Sequence, residues 1–367
     1  MKKTIHLIAA ARPNFMKIAP LYHALKREEW AEPVIVHTGQ HYDLNMSDAF
    51  FKDLMLPEPH FHLGVGSGTH AEQTGRVMIA YERLLMERRP DLVVVVGDVN
   101  STAACTLAAV KLGVRTAHLE AGLRSFDRTM PEEINRIVTD SIADILWTPS
   151  PDADENLLRE GIPREKIERV GNIMIDSLEM MRPQIMAENA AAKYGLKNGA
   201  YGVVTLHRPA NVDHPETLQK LCAALALIAA ELPLIFPVHP RTAKTLAALP
   251  ARPAGLRVVE PQPYLEFNYL VRHAKGVITD SGGITEETTV MGVPCVTLRD
   301  STERPETVTI GTNELIGTDP AALRPALDRL FAGQWKKGAI PELWDGRTGG
   351  RIAEVLERLL ARRASGC

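Results

Sequence analysis

The sequence predicts an α/β protein built from two Rossmann-like domains whose parallel sheets face a central cleft. Three observations carry this expectation. Short apolar runs alternate with helical patterns along the whole chain, which is how parallel strands joined by crossover helices read. Runs such as LVVVV are apolar at every position, as a strand covered on both faces requires. A length of 367 residues exceeds one ordinary domain and suits two of roughly 150 to 200 residues, each with its own core.

In chain order, the first half offers TIHLIAA, PVIVHTG, DLVVVVGD, VRTAHLEAG, DILWTPS and IERVGN as strands. The second half offers YGVVTLHR, LPLIFPVHP, LRVVEPQ, GVITDSGG, VPCVTLRD and ELIGT. Between them, AEQTGRVMIAYERLLMERR and HPETLQKLCAALALIAAEL place apolar residues three and four apart, so each can lie along a sheet. The stretch from Gly171 to Tyr201 has no strand pattern and ends in Gly/Asn punctuation, which marks a boundary. The expected division is therefore residues 1–172, residues 173–349, and a terminal helix in 350–367, written RIAEVLERLLARR, that could pack back on the first domain.

Composition excludes several classes. Lys plus Arg (42) nearly balances Asp plus Glu (45), so no global field favours nucleic acid or an anionic membrane as partner. Cys105, Cys222, Cys295 and Cys367 form no CxxC pair and three lie in apolar segments, which reads as reduced thiols of a cytoplasmic protein. The opening MKKTIHLIAAARP has too short an apolar run for a signal peptide, and no stretch reaches the ~20 apolar residues of a membrane span.

Ligands of open α/β sheets bind beyond the carboxyl ends of the strands. There the sequence places Arg12 and Lys17, Gln40 and His41, Asp98, Glu120, His207 and Arg208, His239 and Arg241, Gln262, Ser281, and the segment from Arg299 to Arg304. Missing motifs narrow the chemistry. No GxGxxG follows the first strand and no GxxxxGK[ST] occurs, so neither a nicotinamide cofactor nor a P-loop is expected. No nucleophile elbow signals a Ser-His-Asp hydrolase. HTGQH and HFH have ligand-like spacing but no third ligand at a recognisable distance, so no metal is expected.

The motifs that remain point to an anionic ligand. Arg12 and Lys17 fall at the start of the helix after the first strand, where anions are normally preferred, so a bound anion would balance them. In GDVNST, Asp98 can take a proton or a hydrogen bond, or simply cap the helix that follows. HLEAGLRSFDRTMPEEINR puts Glu120 at a strand end and Glu132 and Glu133 behind Pro131. Pro followed by Glu-Glu is also what a plain helix start looks like, and acid/base work would need environments that split carboxyl pKa values. His207-Arg208 suits a leaving phosphate. In DSGGITEE, residues 280–287, a strand-Gly-Gly-helix junction turns helix N–H groups toward an anion, phosphate first. The plain alternative is capping by Ser281 or Asp280, with Glu286 and Glu287 at the positive helix end.

Taken in order, RPxxxK, GD with its hydroxyl-rich turn, HLEAGLR, PEEINR, HR, DSGGITEE and RDSTERPE closely resemble the motifs of the non-hydrolysing UDP-N-acetylglucosamine 2-epimerases, over essentially the whole chain. The resemblance implies a glycosyltransferase-B-like fold, a UDP-sugar in the cleft, no cofactor, a homodimer and service in polysaccharide biosynthesis. It implies that Ser281, Gly282 and Gly283 bind the diphosphate and Glu287 the ribose. It further implies that Arg12, Lys17, Arg208 and Arg304 contact the nucleotide-sugar and that Gln262 and Phe267 line the uracil pocket. The implied catalytic set is Asp98, Glu120, Glu132 and His207, Glu132 being taken over Glu133 from the alignment of PEE. The family reaction removes UDP from C1 and the proton from C2 to give a glycal, then adds UDP back with the proton on the opposite face. Such a route suits a C2 proton that no adjacent carbonyl acidifies.

One loop departs from the family. Many members have Gly-Thr-Arg-Pro-Glu-Ala after the first strand, whereas this chain has Ala-Ala-Arg-Pro-Asn-Phe. Some bacterial members carry a second, activating substrate pocket, of which Gln40, His41, Arg76, Arg208 and His239 match remnants. Neighbouring readings are a hydrolysing epimerase, against which HLEAGLR and PEEINR speak, and a retaining glycosyltransferase, for which no acceptor site is identifiable. An epimerase of diacetamido-uronic acid UDP-sugars is separable only by substrate testing. A catalytically silent nucleotide-sugar sensor would have lost the acids.

Overall fold

The computed structural model describes residues 2–39, 51, 53–249 and 255–361. It divides into two compact units, one of Met1–Met180 with Glu342–Cys367 and one of Met181–Pro341. In the first unit, β1 (Lys3–Ala9), β2 (Ala31–His37), β3 (Phe61–His62), β4 (Leu92–Val96), β5 (Thr116–Leu119), β6 (Ile145–Thr148) and β7 (Ile167–Arg169) form one parallel sheet in the order β3-β2-β1-β4-β5-β6-β7. In the second, β8 (Gly202–Thr205), β9 (Leu234–Pro237), β10 (Leu256–Val259), β11 (Gly276–Thr279), β12 (Cys295–Thr297) and β13 (Asn313–Leu315) form another in the order β10-β9-β8-β11-β12-β13. Counted within each unit, the order 3-2-1-4-5-6 is common to both, the doubly wound arrangement that opens a crevice at the strand carboxyl ends.

Every expected apolar run contains a strand. β4, β5, β6, β9, β11 and β12 are buried at every position, which is why their sequences show no polar alternation. The strand that escaped expectation is β3, whose two residues pair with the end of β2 and are too few to display a period. Ile8, Val36, Val93 and Val95 of the first sheet pack with Tyr81, Leu85 and Cys105 of the helices His70–Glu87 and Asn100–Lys111. Val204, Phe236, Ile278 and Val296 of the second pack with Leu221 and Leu225 of Pro215–Ala229 and with Leu327 of Leu323–Phe331. Full burial of each such side chain is worth about 1.5–3 kcal/mol.

The terminal helix Thr348–Leu356 lies in the first unit. Buried Asp176 accepts from the N–H groups of Thr348 (3.0 Å) and Gly349 (2.7 Å) and so satisfies the start of that helix. Among the described residues no helix is long and apolar enough to cross a membrane. Cys105, Cys222 and Cys295 are buried free thiols, and Cys367 lies outside the described residues.

Candidate active site

In the first unit β1, β4 and β5 lie side by side, and the segments leaving their carboxyl ends meet at one sheet edge. After β1, buried Asn14 accepts from the N–H groups of Ala10 (3.3 Å) and Ala11 (3.0 Å) and donates to the Val96 carbonyl (3.2 Å). The amide, in the first turn of the helix Arg12–Lys26, therefore ties that helix to the end of β4. Phe15 beside it packs edge-on against His37 (5.1 Å between centroids) and Phe51 (4.6 Å). Arg12 occupies the first helical position and is exposed.

Lys17 is ion-paired with buried Glu120. Glu120 has φ +72°, a left-handed backbone that costs a non-glycine residue about 1–3 kcal/mol and is concentrated at functional sites. Gly97, after β4, has φ +66°, and a Cβ there would lie 2.9 Å from Lys17 Nζ and 3.7 Å from Glu120 Oε2. Glycine thus both permits the turn and lets the ion pair pack onto it.

Asp98 is next, with its side chain 31% exposed. It does not cap the next helix, whose N-cap is Val99. Instead its carboxylate accepts from Arg136 Nε (3.0 Å) and Nη2 (2.7 Å), while its carbonyl accepts from Asn135 Nδ2 (2.9 Å). Arg136 uses Nη1 to hold Glu133 at 2.5 Å. Glu133, 1% exposed, also accepts from the N–H groups of Ser125 (3.0 Å) and Phe126 (2.9 Å), so its carboxylate is committed to bracing the loop before its own helix, Pro131–Ile142. Glu132 is half-buried and has no such commitment. The two glutamates of PEE therefore differ in kind. Arg136 received no role from the sequence, although its place three residues after Glu133 on a helix was the available signal.

In the second unit β8 and β11 are neighbours, and their ends bring His207-Arg208 against Asp280. Asp280 is 0% exposed. It accepts from the N–H groups of His207 (3.0 Å) and Arg208 (2.9 Å), from Asn211 Nδ2 (3.1 Å) and from His207 Nδ1 (2.9 Å). Burial by itself would raise its pKa, but the His207 bond and charge and the backbone bond from Arg208 outweigh it and hold the carboxyl below its ordinary value. With Nδ1 engaged, Nε2 is the His207 nitrogen left for a ligand. Arg208 Nε is buried without a hydrogen-bond partner.

Neither Asp280 nor Ser281 caps the helix Gly282–Met291, whose first turn also holds no acid. Its opening N–H groups are thus not satisfied by those side chains, as an anion site requires. A Cβ on Gly282 would lie 2.7 Å from Glu303 Oε1, so the segment after β12 packs directly on this turn. Glu303 is held by Arg299 (2.8 Å), and Arg304 is ion-paired with buried Glu286. Gly283, next in the turn, is exposed.

Glu287 is buried and accepts from Tyr264 Oη at 2.7 Å; burial pushes its carboxyl up to about 7. Gln262 accepts from Tyr194 Oη (2.9 Å) and donates to the Glu260 carbonyl (2.7 Å), and Tyr194 and Glu260 both line a cavity of about 600 Å³ with Val238, Leu246 and Val259. Half-buried Phe267 lies one helical turn beyond Tyr264.

Of the residues expected to form a regulatory pocket, Gln40 and His41 lie outside the described residues. Arg76 is exposed and paired with Glu72 at 3.7 Å along its own helix. His239 caps the helix Pro240–Ala247 by accepting from Arg241 N (3.2 Å), with its ring 5.7 Å from that of His207.

A family model described as UDP-N-acetylglucosamine 2-epimerase matches residues 23–357. The chain is 41% identical to the UDP-N-acetylglucosamine 2-epimerase of Methanocaldococcus jannaschii, over 96% of this chain and 98% of that protein. It is 40% identical to the UDP-2,3-diacetamido-2,3-dideoxy-D-glucuronate 2-epimerase of Pseudomonas aeruginosa, over 96% of this chain and 99% of that protein. It is similar to the crystal structure of the M. jannaschii UDP-GlcNAc 2-epimerase in complex with UDP-GlcNAc and UDP, with a TM-score of 0.87 and 40% identity over 97% of this chain and 99% of that one. The fold is accordingly glycosyltransferase-B-like, as expected.

Proposed function

The chain belongs to the UDP-N-acetylglucosamine 2-epimerase family, and we propose on that premise that it interconverts UDP-N-acetylglucosamine and UDP-N-acetylmannosamine without hydrolysis. The observation that carries this reading is the pair of carboxylates at adjacent strand ends, Glu120 on Lys17 and Asp98 on Arg136, with half-buried Glu132 in the first turn of the helix that supplies Arg136. A carboxylate takes the C2 proton while the C1–O bond breaks and its electron pair leaves with UDP, so that C1 and C2 become doubly bonded. UDP then re-adds to C1 as a proton reaches the other face of C2. Nothing is oxidised or reduced, and no cofactor is needed.

Asp98, Glu120 and Glu132 serve the proton transfers. His207, oriented by Asp280, supports the departing UDP together with Arg12 and Arg304, since charge develops on the leaving oxygen. Ser281, Gly282 and Gly283 bind the diphosphate, Glu287 the ribose, Gln262 and Phe267 the uracil, and Lys17 and Arg208 complete the nucleotide-sugar contacts. The protein works in the cytoplasm as a homodimer and supplies polysaccharide biosynthesis.

A second reading has its own support: the 40% identical relative from P. aeruginosa is named for a diacetamido-uronate substrate. Incubation with each UDP-sugar, followed by proton and phosphorus NMR, separates the two. Conversion of UDP-N-acetylglucosamine to an epimer with its diphosphate intact is expected. Turnover of the diacetamido-uronate alone would transfer the assignment to that sugar, and free sugar with UDP would mean a hydrolysing enzyme.

A further inference from the structure

We propose that His118 is a positioning residue for this reaction: a doubly protonated, fully buried imidazole that fixes the Gly97 carbonyl and thereby the placement of Asp98 and Glu120. The inference rests on the epimerase reading. His118 lies on β5 and is 0% exposed. Its Nδ1 is 2.6 Å from Asp140 Oδ1 and its Nε2 is 2.8 Å from the Gly97 carbonyl oxygen. A carbonyl only accepts, so Nε2 carries a proton. The other oxygen of Asp140 accepts from the Gly122 N–H at 3.0 Å and from Arg124 Nη1 at 2.8 Å. Those donors favour an ionised carboxylate, which also only accepts, so Nδ1 carries a proton too. Burial opposes ionisation of Asp140, yet the His118 and Arg124 interactions hold it below its ordinary range.

The charges close as a set. Glu160 holds Arg124 through two hydrogen bonds of 2.8 and 2.7 Å, Arg124 holds Asp140, and Asp140 holds His118. Two acids face two cations, so the network carries no net charge, which is the condition under which buried ions are tolerated. Lys17 with Glu120 and Arg136 with Asp98 are the charged pairs beyond the Gly97 turn.

Both peptide groups of Gly97 are fastened to β5, its N–H to the Leu119 carbonyl (3.1 Å) and its carbonyl to His118. Asp98 is the next residue, and the Lys17–Glu120 pair packs on the Gly97 α-carbon. Asp140 meanwhile holds the N–H of Gly122, two residues beyond left-handed Glu120. One imidazolium–carboxylate pair thus fixes the ends of β4 and β5 together. With both ring nitrogens engaged, His118 has none left for substrate, so it acts through Asp98 and Glu120.

The test uses the full chain in two ways. Wild-type protein labelled with ¹⁵N-histidine should show one imidazole with a hydrogen-bonded proton on each ring nitrogen. A spectrum in which every imidazole has an unprotonated nitrogen would overturn the proposal. In the second arm, His118→Gln keeps an N–H donor for Gly97 without the charge, and His118→Phe keeps neither. For His118→Gln, kcat should fall about 10- to 100-fold, the usual effect of losing a supporting partner, with KM and the Kd for UDP within about threefold. His118→Phe should fall further. Unchanged kcat, or a loss confined to KM, would overturn the proposal. Should the variants not fold, the wild-type spectrum still decides. Absence of epimerisation by the wild type would instead sink the functional reading, whichever way the spectrum falls.

Discussion

Asp98 and Asp280 occupy similar topological places in the two units, within two residues of the end of the fourth strand in chain order, yet their surroundings differ. Asp98 is partly exposed, with its cation, Arg136, anchored behind it by Glu133. Asp280 is sealed in, and the groups gathered around it, His207, Arg208 and the opening of the helix Gly282–Met291, are donors and cations. Within one doubly wound frame, a carboxylate that stands in front of its cation is left partly exposed, whereas one buried behind donors leaves an edge lined by N–H groups and cations.

The largest expected effect breaks the first half of that comparison. Asp98→Asn preserves shape and removes the proposed base, so kcat should fall by about 10²- to 10⁴-fold, the range for a lost general acid or base, with UDP affinity nearly unchanged by titration calorimetry. Glu132→Gln should behave alike. Glu133→Gln should differ from both: it weakens a charge-assisted brace worth about 1.5–3 kcal/mol and should appear first as a lower midpoint in denaturant melts.

Asp280→Ala addresses the second half. It leaves the His207 and Arg208 N–H groups without their acceptor and Asn211 Nδ2 with the Leu298 carbonyl only, and removing one partner from such a buried set costs about 3–5 kcal/mol. Thermal melts should show that loss, and UDP affinity should drop with it. A variant as stable as wild type would mean that Asp280 is not the organiser of this edge.

Glu287 sharpens the contrast through pH. Its folded pKa is raised to about 7 by burial, so the folded state holds a proton that the unfolded state releases from about pH 4.5 upward. Its favourable state is fully present below about pH 4.5 and lost as pH rises through 7. Ligand-free Glu287→Gln should therefore be more stable than wild type at pH 8 by up to about 3 kcal/mol, from a shift of roughly 2.5 pKa units, and equal to it near pH 4. No pH dependence in the difference between the two melts would contradict this.

The strands were legible because parallel strands buried on both faces write continuous apolar runs, and the candidate site residues could be picked out because they come directly after those runs. β3 was illegible at two residues. The division of labour between Glu132 and Glu133 was illegible for another reason: which of two adjacent helical residues turns inward depends on how the helix is docked. Arg136 reaches Asp98 across 38 positions and His118 reaches Asp140 across 22, and only the packing of Pro131–Ile142 beside β4 and β5 makes these pairs. In sequence the Asn14-Phe15 segment is only a departure from the family motif, whereas in the fold both side chains are occupied locally, one bonding the backbone and the other packing on rings.

The most direct measurement is incubation of wild type and Asp98→Asn with UDP-N-acetylglucosamine in D₂O, followed by proton and phosphorus NMR. The expected result is deuterium at C2 of both epimers with the diphosphate linkage intact for the wild type, and substrate bound but unexchanged for Asp98→Asn. Epimerisation without deuterium at C2, or exchange by Asp98→Asn at the wild-type rate, would contradict the assignment of proton transfer to the carboxylates of the first unit.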